Sequence, residues 1–154
     1  MNTYQSATEL MKQQFGHDVV VSLATCTENG VNVRTVNGYY KDGSFYVTTN
    51  MSTSKAKEIA KKSAVAICKD LMCAQGIGEN IGSPKAEYNK MLATELKKVF
   101  AAFYDLHVNE DDPGTCILKI ALTSAVVFNS TTKFAVDFEH QTAAATPFIN
   151  DIVY

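Results

Sequence analysis

The sequence predicts a mainly β, α+β domain built on an antiparallel sheet or barrel. Three observations carry that expectation. About seven short runs rich in β-branched residues are separated by turn signals, helical patterns fall between only some of them, and there is no regular strand–helix alternation of the kind that builds a parallel sheet. At 154 residues the chain reads as one domain, 1–154, large enough to bury a real core.

The elements follow in order. Residues 3–15 predict a helix, with Tyr4, Ala7, Leu10, Met11 and Phe15 near one face and Gly16 as its stop. DVVVSLATC (18–26) is a strand, and Asn29-Gly30 after it is a strong short hairpin signal. The strand Val31–Tyr40, an Asp42-Gly43 turn and the strand Ser44–Thr49 complete a meander. Residues 54–62 predict a short helix with Ala56, Ile59 and Ala60 inward and lysines outward. Two further strands, 63–69 and 71–81, flank Asp70. Ser83-Pro84 is a good helix entry. From there Tyr88, Leu92, Leu96, Val99, Phe103 and Leu106 recur at steps of four and three, predicting one amphipathic helix from Pro84 to Leu106. After a loop at 109–114, strands are expected at 115–129 and 134–138, and the tail 139–154 carries no assignable pattern.

Composition narrows the function classes. With 46% hydrophobic and 19% charged residues the chain is globular rather than disordered. A net charge of -2 argues against nucleic-acid binding. No apolar run reaches signal-peptide or membrane-span character, so a soluble cytoplasmic protein without membrane contact is expected. Cys26, Cys68, Cys73 and Cys116 form no two-residue-spaced pair and have no histidine at ligand spacing. Three lie in apolar runs and read as reduced core residues, with disulfide and zinc roles ranking behind. His17, His107 and His140 share no motif, and Glu110-Asp111-Asp112 before Pro113-Gly114 reads as a solvated turn, so no metal site is expected.

The stretch from Gly30 to Lys55, GVNVRTVNGYYKDGSFYVTTNMSTSK, points to chemistry. It places Arg34, the only arginine of the chain, on one strand. Thr48, Thr49, Ser52, Ser54 and Lys55 follow where the next strand hands over to a helix. A planar fork of donors, hydroxyls, a compact ammonium and a helix start together suit a phosphate-bearing ligand. A lone arginine is usually a solvated surface residue, and Lys55, Lys57, Lys61 and Lys62 would also serve as the wet side of a helix. The pairing of Arg34 with the downstream group favours the ligand.

The order of a strand with R-T-V-N, a strand F-Y-V-T-T-N, and S-T-S-K opening a helix resembles the pyridoxamine 5'-phosphate oxidase-like family. SAVAICK, MCAQGIGENI with Gly76, CILKIALTSAVVFN and KFAVDF resemble the strands that follow, so the likeness spans about residues 5 to 138. It implies an antiparallel split β-barrel with flanking helices, FMN as cofactor, and a homodimer with flavin at the subunit interface. Arg34 and Lys55 would meet the phosphate, with Ser54 and Thr49 donating hydroxyls. Thr35, Val36 and Asn37 would run beside the flavin ring, Thr48 would lie near the ribityl chain, and Gln75 would reach the flavin from the partner subunit. No catalytic acid or base is identifiable.

The chain departs from the family in lacking tryptophan and in having no arginine in FEHQTAAATPFINDIVY, which disfavours vitamin B6 oxidation. The resemblance therefore implies an FMN-dependent oxidoreductase acting on a small molecule. The alternatives are a flavin carrier or redox sensor without turnover, or the same fold holding a deazaflavin or haem.

Overall fold

The computed structural model describes residues 1–149. The chain runs α1 (Thr3–Phe15), β1 (Val19–Cys26), β2 (Val31–Lys41), β3 (Ser44–Asn50), α2 (Ser54–Lys61), β4 (Ala64–Lys69) and β5 (Met72–Asn80). A 3-10 turn at Glu87–Asn89 precedes α3 (Lys90–Val99) and α4 (Tyr104–His107), and β6 (Thr115–Phe128), β7 (Thr132–Asp137) and β8 (Thr142–Pro147) complete it. The strand order is β3-β2-β1-β4-β5-β6-β7-β8, every pair antiparallel. β3 also pairs with β6, which closes six strands into a barrel.

β6 explains why the barrel is split. Its first half, Thr115–Ala121, pairs with β3, and its second half, Ser124–Phe128, turns to β7 instead. At the changeover the β5–β6 register slips between Gln75 and Gly76. A Cβ on Gly76 would stand 2.7 Å from the Ala121 carbonyl oxygen, so the slip requires a residue without a side chain.

The inward faces of the barrel strands supply Leu23, Phe45, Leu118 and Ile120, all fully buried. α1 lays Ala7, Met11 and Phe15 on this core, and α2 adds Ala56 and Ile59 at another side. Ala60, expected to face inward, is exposed. A second cluster, Leu96, Phe100, Tyr104 and Ile117, lies under α3 and α4 with Tyr39 and Tyr46 packed against it.

Four expectations are corrected. The Asn29-Gly30 hairpin forms, but through a four-residue loop in which Thr27 N–H donates to Gly30 O (2.8 Å) and no residue has positive φ. The two-residue turn with both φ positive is Asp42-Gly43 (49° and 81°). The single helix 84–106 is interrupted. The buried Asn89 side chain donates to the carbonyls of Ile81 (2.9 Å) and Ser83 (3.0 Å), holding back the segment before Lys90. At the other end the chain leaves the helix at Phe100 and re-enters at Tyr104, which turns both rings onto Ile117. Of the four cysteines only Cys116 is buried, Cys26 is half-buried, and Cys68 and Cys73 are exposed. An eighth strand, β8, lies in the tail that showed no pattern. Its TAAATP sequence has little intrinsic strand preference and is recruited by pairing with β7. No helix among the described residues is long and apolar enough to cross a membrane.

Candidate functional site at the start of α2

On β2 the residues Val36, Gly38 and Tyr40 point into the core, and alternation puts Arg34 on the same face. One step beyond the packed core, its guanidinium finds polar partners. Nη1 donates to Thr25 Oγ1 (2.6 Å) and to Leu23 O (3.3 Å), and Nη2 donates to Glu58 Oε1 (3.2 Å). Glu58, on α2, also accepts from Asn32 Nδ2 (2.7 Å) and from Thr25 Oγ1 (3.1 Å). Those donors, Asn32 first, then Thr25 and Arg34, hold its carboxyl below the usual range against the opposing effect of burial.

The handover from β3 to α2 is built by side chains that cap it. Thr53 N–H donates to Asn50 O (3.0 Å), and Thr53 Oγ1 donates to the same oxygen (2.8 Å) while accepting from Ala56 N–H (3.4 Å). Thr53 is therefore the N-cap of α2 and lies 3.3 Å from the Thr49 hydroxyl. Lys55 Nζ donates to Thr49 Oγ1 (3.3 Å) and has no acidic partner among the described residues. Burial, and after it the neighbouring Arg34, push the Lys55 ammonium below its ordinary value. The first amides of the helix, at Ser54 and Lys55, have no intrahelical acceptor to donate to.

The structure brings together Arg34, Thr49, Ser54 and Lys55 at this end of the barrel. Two cations stand beside one carboxylate, which is engaged by Arg34. The uncompensated charge, the Thr49 and Ser54 hydroxyls and the free amides form a donor set suited to a phosphate dianion. Thr53 was missed by sequence reasoning, although a threonine immediately before a helical pattern is a cap signal.

The other expected residues lie elsewhere. Val36 is buried in the core, and Asn37 donates to Asp18 Oδ1 (2.8 Å). Thr35 is exposed on the opposite face of β2 from Arg34, and Thr48 sits half-buried opposite Ile117. Gln75 is exposed on β5, in a row running Val33, Ala24, Ala66, Gln75, Ser124 and Asp137 across six strands. That row lines an open groove of about 550 Å³ on the outside of the sheet. Val31 and Val33 beside it are 74% and 70% exposed. Among the described residues no group of three or more metal-ligating side chains occurs. His140 pairs with Asp137 at the β7–β8 turn (2.8 Å), and Asp111 pairs with Lys85.

No protein-family model and no curated protein matches the sequence. Solved structures do match. A pyridoxamine 5'-phosphate oxidase-related, FMN-binding protein from Nostoc punctiforme superposes with a TM-score of 0.61 at 13% identity, covering 94% of this chain and 95% of that one. A protein of the pyridoxinephosphate oxidase family from Clostridium acetobutylicum, related to general stress protein 26, gives 0.61 at 17% identity, covering 92% and 100%. An F420 reductase gives 0.57 at 17% identity, covering 74% and 94%. The fold is that of the pyridoxamine 5'-phosphate oxidase-like split barrels.

Proposed function

We propose that this chain is an FMN-binding oxidoreductase of the pyridoxamine 5'-phosphate oxidase-like class, acting on a small molecule. The observation that carries the reading is Lys55, a half-buried ammonium at the start of α2 that donates to the Thr49 hydroxyl and has no acidic partner among the described residues. Placing a cation next to another without an acid to balance it is unfavourable unless an anion completes the site. Lys55, Thr49, Ser54 and the first amides of α2 would hold the FMN phosphate, with Arg34 as the second cation. Bound flavin would supply hydride or electron transfer that no side chain here provides. With Val36 buried and Asn37 engaged by Asp18, the strand Thr35–Asn37 would run beside the ring through backbone groups, and Thr48 would lie near the ribityl chain.

The same reading makes the outer sheet face a subunit interface. Val20, Val31, Val33 and Ile77 are large apolar side chains left open on it, and a second copy would cover them and bring the partner subunit's Gln75 to the flavin. The likeness to an F420 reductase supports a second reading in which the pocket takes a deazaflavin. The visible absorption spectrum of the freshly purified protein separates the two. Titration with FMN, then reduction by NADH or NADPH over an acceptor panel, separates an enzyme from a carrier.

A further inference from the structure

β4 and β5 are joined by the two-residue turn Asp70-Leu71, and that turn sets the register Lys69 opposite Met72 and Cys68 opposite Cys73. Directly opposed residues of an antiparallel pair project to the same face of the sheet. Their Cα atoms lie about 4.5–5.5 Å apart in either class of pair, within the roughly 4.4–6.8 Å that a disulfide spans. In the single chain both thiols are exposed on the outer face and line its groove, the face that a second copy would cover under the interface reading above. Burial raises the Cys73 thiol above its ordinary value, and the neighbouring Cys68 adds to the shift. The remaining cysteines are not placed for this chemistry. Cys116 is buried inside the barrel, and Cys26 at the end of β1 lies opposite Val31, its thiol 3.6 Å from the Ala64 carbonyl.

We propose that Cys68 and Cys73 form a reversible thiol–disulfide site on the outer face of the β4–β5 hairpin, oxidised by low-molecular-weight disulfides of the glutathione class. The thiolate of one cysteine attacks a sulfur of the small disulfide, forming a mixed disulfide and releasing one small thiol. The second cysteine attacks the protein-side sulfur of that mixed disulfide, forming the Cys68–Cys73 bond and releasing the second small thiol. Two protein thiols give up two protons and two electrons, and the small disulfide is reduced to two thiols. The bond closes only a short hairpin loop, so the constraint on the unfolded chain is small and a melting temperature is a poor reporter. The site does not rest on flavin binding, and a thiol count reads it whether or not flavin is present.

The test is to incubate the full chain, and beside it the Val33→Asp variant whose outer face stays open, with excess oxidised glutathione, then count free thiols after denaturation and map the linked peptides by mass. The expected result is a fall from four free thiols to two, with Cys68 joined to Cys73 and all four restored by dithiothreitol. In Cys68→Ser, Cys73 should instead retain one glutathione adduct. Four free thiols in both proteins after oxidation, a link through Cys26, a link between chains, or adducts on both cysteines would each overturn the proposal, whereas two in Val33→Asp and four in the wild type would support the site and the second copy over it.

Discussion

Arg34 Nη2 lies 3.2 Å from Glu58 Oε1, so the single arginine of the chain is fixed in place by a carboxylate on the helix that would cradle a phosphate. The pair is largely shielded, with side chains 22% and 14% exposed, and Thr25 bridges its two ends. Glu58→Gln removes the charge on which Arg34, Asn32 and Thr25 converge. Because the folded-state carboxyl is held below its ordinary 4.5, its contribution is present above that value and lost as pH falls through the lowered one. The melting temperature of the variant should therefore fall short of wild type at neutral pH and converge with it in acid.

Lys55 gives a pH dependence of opposite origin. Its ammonium is held below its ordinary 10.5, chiefly by burial, so the unfolded chain binds that proton more tightly than the folded one. The free protein should gain stability as pH rises through the window below 10.5. Affinity for FMN should fall in that same window, as the cation facing the phosphate is lost. Lys55→Arg keeps the charge at every pH and should flatten the affinity profile, measured by fluorescence titration.

Asn89 ties the α3–α4 segment to the barrel through two backbone carbonyls. Asn89→Ala should take its donor from the Ile81 carbonyl, while Ser83 O keeps Ala86 N–H (3.1 Å), and cost about 1–3 kcal/mol. Hydrogen exchange should quicken over residues 81–107 while the strands stay protected.

Gly76→Ala should cost about 1–3 kcal/mol, because its methyl group would meet the Ala121 carbonyl oxygen at 2.7 Å and the β5–β6 register would have to shift. Chemical denaturation reads the loss as a lower midpoint.

The interface reading predicts that Val33→Asp, on the open outer face, converts a dimer to a monomer in light scattering. Stability should be little changed when compared at the monomer level.

The sequence made the strands of the barrel legible because period-2 runs and turn residues mark them directly. It also placed Thr49, Ser54 and Lys55 together, since they are neighbours along the chain at a helix start. Three kinds of feature were hidden. The pairing of Arg34 with Glu58 joins positions 24 apart and depends on α2 folding over β1, which no local pattern records. The break in the 84–106 helix depends on Asn89 finding carbonyls outside that helix, and an apolar stripe continues through such a break unchanged. β8 was hidden for a third reason: TAAATP becomes a strand only because β7 offers it an edge.

The central claim is that Arg34 and Lys55 meet a phosphate. The direct measurement is the affinity of Arg34→Ala and Lys55→Ala for FMN and for riboflavin, which differ by that phosphate. The account predicts a loss of roughly 10- to 100-fold for FMN in each variant, the worth of a charge-assisted hydrogen bond, with riboflavin binding nearly unchanged. Equal losses for both ligands would contradict it.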